Sequence, residues 1–288
     1  MKITMILKRL PLALAGLSML IFQTACDVNN TIGTDDNKRF TASDPINLRV
    51  AVAGHTGLEV DNVNGPVEVY GISGLDEIEI TGERTVRSTS QRDADEQLER
   101  LQMNLRDMGS TFVIETEQPS SSDGREYEVK YEIRIPSDWD VTVELTNGIV
   151  TIDSVVGDVH VDVTNGNINL TDVIGTVNVD LTNGNADLRG IDGDVEVELT
   201  NGIIFTQMEF AIDRSCKLAT VNGGIELQIP KTTSADFTAS VANGEISLRG
   251  LTLQDLVSSP RSMRGTLGNG EGRIELKTTN GGILAVGY

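Results

Sequence analysis

An all-β repeat fold, a β-solenoid of about 18 residues per coil with one short amphipathic helix capping its N-terminal part, is predicted by three observations. Nine Asn-Gly pairs punctuate the 288-residue chain, and Asn147, Asn165, Asn183 and Asn201 are each 18 residues apart. Apolar residues stand six, four and two places before each of these Asn, as Val141, Val143, Leu145; Val159, Val161, Val163; Val177, Val179, Leu181; and Val195, Val197, Leu199. Every second residue is apolar, the signature of a strand with one buried face. Aromatic residues are only 4% of the chain, so the core must be narrow and aliphatic.

Apolar residues return three and five places after the Asn, as Val150 and Ile152, Ile168 and Leu170, and Ala186 and Leu188. A second Gly corner follows at Gly157, Gly175 and Gly193, so each period reads strand, corner, strand, corner. Asn and Gly suit corners because both tolerate positive φ. Two architectures share this pattern. Asn-Gly is also a two-residue hairpin signal, and a curled antiparallel meander would place the same residues on one face. A meander has no need of equal periods, whereas a solenoid requires them to superpose equivalent side chains. Asn147, Asn165, Asn183 and Asn201 then stack as a structural corner ladder, their side chains hydrogen-bonded from coil to coil.

Residues 1–26 read as a lipoprotein-type signal peptide: Lys2, Lys8 and Arg9 precede an apolar run from Leu10 to Phe22. That run is too short for a spanning helix. It closes on Gln23-Thr24-Ala25-Cys26, which resembles a bacterial lipobox and makes Cys26 the lipidation site; Gln23 stands where the pattern usually has Leu. Residues 27–46 are polar and read as a flexible tether. In a host that sorts lipoproteins as enteric bacteria do, the resemblance makes Asp27 an inner-membrane retention signal. The expected location is a bacterial membrane, with the domain facing the periplasm or the surface.

The folded domain is expected over 47–288. Asn64 opens it, flanked by Leu58, Val60, Val67 and Val69 in the repeat frame. A helix and strand insertion follows at about 83–138. Within it, Arg92 to Leu105 places Ala94, Leu98, Leu101 and Leu105 at helical spacing and predicts a helix over the open end of the stack. Thr111 to Glu117 and Tyr127 to Ile135 read as strands. Weaker periods carry Cys216, Leu218 and Thr220 before Asn222, Phe237, Ala239 and Val241 before Asn243, and Ile274, Leu276 and Thr278 before Asn280. A loop insertion at about 251–273 separates the last two; its apolar start predicts a short helix, with a surface loop as the alternative, and Arg261 and Arg264 make it a candidate binding element.

A short Gly-containing repeat, a helix, the strand ending Ile135-Pro136-Ser137-Asp138-Trp139-Asp140-Val141 and a train of Thr-Asn-Gly repeats together resemble the DUF4097 family, the adhesin-like domain of bacterial envelope lipoproteins. The resemblance covers roughly residues 47–288. It implies a β-helical envelope module with no catalytic residues to transfer.

The formal net charge is −20, and it becomes −23 once the three positive charges of the signal are removed. Such a surface repels nucleic acid. With Cys26 lipidated, Cys216 stands alone as a small buried hydrophobe and no internal disulfide can form. His160 falls on an outward column with Thr142, Asn178 and Glu196, and reads as a surface residue. No catalytic triad, phosphate loop, dinucleotide fingerprint or cofactor motif appears.

Three places before each Asn stand Glu144, Asp162, Asp180 and Glu198, which stacked coils would bring to about 4.8 Å. A solvated acidic face is the plain reading and no metal site is assigned; a divalent cation on this column is the minor alternative. The sequence thus predicts a non-enzymatic, lipid-anchored envelope protein contacting an unidentified protein or glycan. Its rivals are a polysaccharide-active β-helix enzyme and a scaffold that self-associates end to end.

Overall fold

The computed structural model describes residues 40–52 and 54–288; the signal, Cys26 and Asp27 lie outside them. Among the described residues strands dominate, with one short helix. Successive periods pair in parallel: Val159 lies beside Val141 and Val177 beside Val159, an 18-residue offset held through Asn165 and Asn183. The segments before and after each Asn-Gly do not pair with each other, as a hairpin would require; each pairs with its equivalent in the next coil. The antiparallel meander is therefore not the arrangement of the repeats. The two segments diverge because the glycine continues the chain at φ near +150° rather than reversing it, with Gly148 at +154° and Gly166 at +158°.

Two sheets result, joined at the corners. The first runs through Gly57–Asn64, the starts of Asp140–Val156 and Val159–Ile174, then Val177–Asn183, Val195–Asn201 and Ser215–Asn222. The second carries Val67–Ile72, the ends of the same two long strands, Ala186–Asp192, Ile204–Glu209 and Ile225–Ile229. Between them the inward Val, Leu and Ile form one continuous aliphatic core; Val143, Val161, Leu170, Leu188 and Val197 are fully buried. Cys216 is buried in this row, and burial pushes its thiol up to about 12.

Both ends of the stack depart from chain order. Gly272–Asn280 pairs with Ser215–Asn222 on one side and Ala235–Asn243 on the other, so the last coil in sequence is second from the end in space. Ile283–Gly287 is likewise set between Ile225–Ile229 and Ile246–Arg249. The segment expected as a short helix or loop at 251–273 is a hairpin, Gln254–Ser259 and Ser262–Leu267, whose second strand pairs antiparallel with Ala235–Asn243. It closes the stack, with Leu251, Leu253 and Met263 packed on the core.

At the other end the chain also overshoots and returns. Thr111–Glu117 and Glu126–Pro136 lie outside the coil 57–72 and pair with it in parallel, while Asp140–Val156 pairs with its inner side. Antiparallel strands complete both edges: Gln102–Asp107 on the first sheet, then Glu77–Ser88 and Phe40–Ala51 on the second. Residues 40–46, expected in the tether, are thus part of an edge strand paired with residues 82–88.

The helix spans only Gln91–Leu98, not Arg92 to Leu105. Ser90 caps its start by accepting from the Asp93 N–H at 3.2 Å. The helix stops because Leu101 turns into the core and residues 102–107 pair antiparallel with Thr111–Glu117, with Leu105 opposite Ile114. It packs on Phe40–Ala51 and Glu77–Ser88, and Asp93 takes two bonds from Arg125, which with Ser88 hold its carboxyl down at about 2.

Candidate functional site

The outer face of the first sheet carries the densest ordered chemistry. Because the coils stack without slipping, the residue three before each Asn falls in one column. Its order is Glu115, Asp61, Glu144, Asp162, Asp180 and Glu198, each paired in register with the next. Ala219, Lys277 and Ser240 continue the same column. Six carboxylates in a row at about 4.8 Å per step form a line on the order of 24 Å long. A row of threonines, Thr146, Thr164, Thr182 and Thr200, lies beside it, one residue before each Asn.

The ends of the line are neutralised and its middle is not. Arg106 meets Glu115 at 3.0 Å, and Lys217 Nζ bridges Glu196 and Glu198 at 2.6 and 2.8 Å. Among the described residues, Glu144, Asp162 and Asp180 have no ion pair. Partial burial, then the charges of Asp162 and Glu198, raise the Asp180 carboxyl above its ordinary value. Asp61 is raised by burial and by Glu115, against the opposing pull of Arg106. Where Ala219 replaces a carboxylate, the face dips into a shallow hollow bounded by Asp180, Glu198 and Lys277.

Of these residues the repeat frame yields four. Asp61 was open to the same frame, since it stands three before Asn64. Glu115 was not, because it enters the column from a strand that stacks out of chain order. Among the described residues no three His, Cys, Asp or Glu side chains converge as a metal ion would need; the carboxylates of the cation column point outward one coil apart. His160 is exposed between Thr142 and Asn178. His55 instead stacks on Phe112 at 3.8 Å near the buried Trp139, with Nε2 at 3.1 Å from Asp107.

The corner beside this face is tied by side-chain amides. Asn147 donates to Asn64 at 2.8 Å, Asn165 to Asn147 at 3.0 Å, and Asn183 to Asn165 and Asn201 to Asn183 at 2.8 Å each. The series continues as Asn222 to Asn201, Asn280 to Asn222 and Asn243 to Asn280, following the spatial order of the coils and not the chain. The Asn amides are spent on each other.

A family model described as Toastrack DUF4097 matches residues 140–284. Among solved structures the chain is similar to a candidate cell-adhesion protein from Clostridium sporogenes, with 10% identity over 86% of this chain and 100% of that one and a TM-score of 0.40. It is also similar to candidate adhesins from Bacteroides fragilis, at 14% identity over 84% and 97% with a TM-score of 0.37, and from Parabacteroides merdae, at 10% over 86% and 96% with a TM-score of 0.32. No curated protein matches the sequence.

Proposed function

The chain belongs to the Toastrack DUF4097 family, and from that premise we propose that it is a non-enzymatic, lipid-anchored envelope protein whose β-solenoid presents an adhesin-like surface to an extended protein or glycan. The observation that carries this reading is the unbroken column from Glu115 to Glu198 beside the threonine row. Groups repeated once per coil along a line suit a partner that is itself extended, whereas catalysis needs unlike groups converging on one reacting atom. The anchor fits the same picture. Cys26 and Phe40 are separated by 13 residues, which reach at most about 45 Å. Because Phe40–Ala51 is the outermost strand at the N-terminal end, a lipid on Cys26 places that end toward the membrane and the 254–267 hairpin at the far end.

The experiment is capture of envelope proteins and polysaccharides on the purified domain, with D162N/D180N as the control. The reading expects a ligand retained by the natural chain and lost by the variant, without product release. Release of reducing sugar that disappears in D162N/D180N would replace binding by catalysis. Replacement of Cys26 by Ser should also move the protein from the membrane to the soluble fraction.

The column carries a stability consequence of its own. Asp180 has its folded-state value raised from 3.8, so its destabilising effect is absent below that unfolded value and complete once the pH has risen past the folded one. Asp180→Asn should therefore stabilise the protein at neutral pH by about 0.5 kcal/mol at low salt, and less in high salt. The gain should vanish in acid. Thermal melts across pH and salt check it, and a gain that grows with acidification would contradict it.

A further inference from the structure

The Asn ladder has one open end, and it carries a chemical liability. An Asn-Gly pair is converted without an enzyme when the glycine backbone nitrogen attacks the Asn side-chain carbonyl carbon. The N–Cγ bond forms as the glycine nitrogen gives up its proton, that proton goes to Nδ2 by way of water, the Cγ–Nδ2 bond breaks and ammonia leaves, giving a five-membered succinimide. Water then opens that ring to aspartate or to isoaspartate. Attack requires both a free glycine N–H and an amide free to rotate into line.

Inside the stack neither condition holds. Each Asn side chain from 147 to 222, and Asn280, both donates to one neighbour and accepts from another. The following glycine N–H is held as well: Gly65 donates to the Asn147 carbonyl at 3.0 Å, Gly184 to Asn201 at 2.9 Å, Gly202 to Asn222 at 2.9 Å, Gly223 to Asn280 at 2.8 Å and Gly281 to Asn243 at 2.9 Å. Gly148 and Gly166 lie within the continuous pairing of the two long strands. Even Asn269, which stands off the ladder, is followed by a glycine whose N–H donates to the Leu267 carbonyl at 3.1 Å.

Asn243 differs because, among the described residues, no further coil pairs beyond it. Its amide donates to Asn280 at 2.9 Å, and no further Asn follows to donate to its own oxygen. Among the described residues no carbonyl receives the Gly244 N–H, because the capping hairpin stops at Ser262 and Arg261, opposite Ser240 and Val241. Both residues are exposed. We infer that Asn243 is a built-in deamidation site, and that the stacking of the coils protects the other ladder asparagines from the same reaction. Conversion places a new carboxylate at the far end of the ladder, and the isoaspartate form adds a methylene to the backbone at that corner.

This inference stands apart from the binding reading. The test is incubation of the intact protein in mildly alkaline buffer made with ¹⁸O water, followed by peptide mapping in which ring opening marks each converted site. Asn243 should convert at least ~10-fold faster than Asn183 in the folded protein, since freeing an interior rung breaks several hydrogen bonds that Asn243 and Gly244 do not make. In concentrated urea the two rates should become equal. Equal rates in the folded protein, or an unmodified Asn243 alongside a converting Asn183, would overturn it.

Discussion

Gly184→Ala should cost more than 3 kcal/mol, on the order of the largest single-residue effects, and should leave little folded protein. A Cβ built at Gly184 lands on the Gly166 carbonyl oxygen and carbon of the preceding coil, and these are backbone atoms that no rotamer change can move. The residue also sits at φ +142°, where an L side chain is strained. Relief would require the coils to part at that corner, which would break the Gly184 N–H bond to the Asn201 carbonyl and the amide bonds of Asn183 to its neighbours. Soluble yield and the urea midpoint check the expectation. Gly74→Ala is the control: a Cβ there meets nothing within 4 Å at comparable backbone strain, φ +75°, so its loss should be about 1 kcal/mol. Equal losses at the two positions would show that coil contact at the corner is not the cause.

The second large effect is expected at Asn62, which breaks the repeat pattern from the inside. It occupies the inward position two before its Asn-Gly, where the later coils carry Leu145, Leu181 and Leu199. It is 1% exposed. Tyr131 and Thr116 hydroxyls meet at 2.8 Å, Thr116 donates to Asn62 Oδ1 at 2.9 Å, and Asn62 Nδ2 donates to the Val129 carbonyl at 2.9 Å. Burial pushes the Tyr131 hydroxyl up to about 12. Asn62→Leu restores the repeat's own residue yet leaves one hydroxyl proton of the Thr116–Tyr131 pair without an acceptor and takes the Asn62 amide away from the Val129 carbonyl. It should therefore destabilise by about 3 kcal/mol, because unpaired buried polar groups cost ~1–3 kcal/mol each. Thr116→Val together with Tyr131→Phe, added to it, should recover about 1 kcal/mol by removing the hydroxyl pair whose proton has lost its acceptor. A neutral or stabilising Asn62→Leu in urea titration would show that the network contributes nothing to the fold.

These two positions mark what the sequence made readable. The corner glycines and the aliphatic columns follow from a period of 18 and an alternation of two, and every inward residue named from that frame between Val141 and Leu199 is buried. Local pattern failed where tertiary pairing decides. Leu101 and Leu105 continue a helical spacing, but the chain gains more by sending Leu101 into the core and pairing Leu105 with Ile114. The hairpin at 254–267 gave no alternation to read, since all six residues of its first strand are exposed.

The spatial order of the end coils was illegible for a different reason. The frames of Asn222, Asn243 and Asn280 are equivalent, so any stacking order satisfies the same hydrophobic pattern. The carboxylate column was partly legible on the same grounds. Asp162 and Asp180 follow from the period, whereas Glu115 reaches the column through an out-of-order strand.

That out-of-order stack is the claim on which the core, the ladder and its open end all depend, and pairwise disulfide formation tests it most directly. With Cys26 replaced by Ser, Lys217→Cys with Glu275→Cys joins adjacent strands of the stack, as does Glu275→Cys with Thr238→Cys. Their Cα separation of about 4.8 Å lies within disulfide range. Lys217→Cys with Thr238→Cys spans two steps, about 9.6 Å, which a disulfide cannot bridge. The stack described here predicts rapid oxidation of the first two pairs and none of the third; oxidation of the third pair with the first left reduced would place the coils in chain order and contradict it.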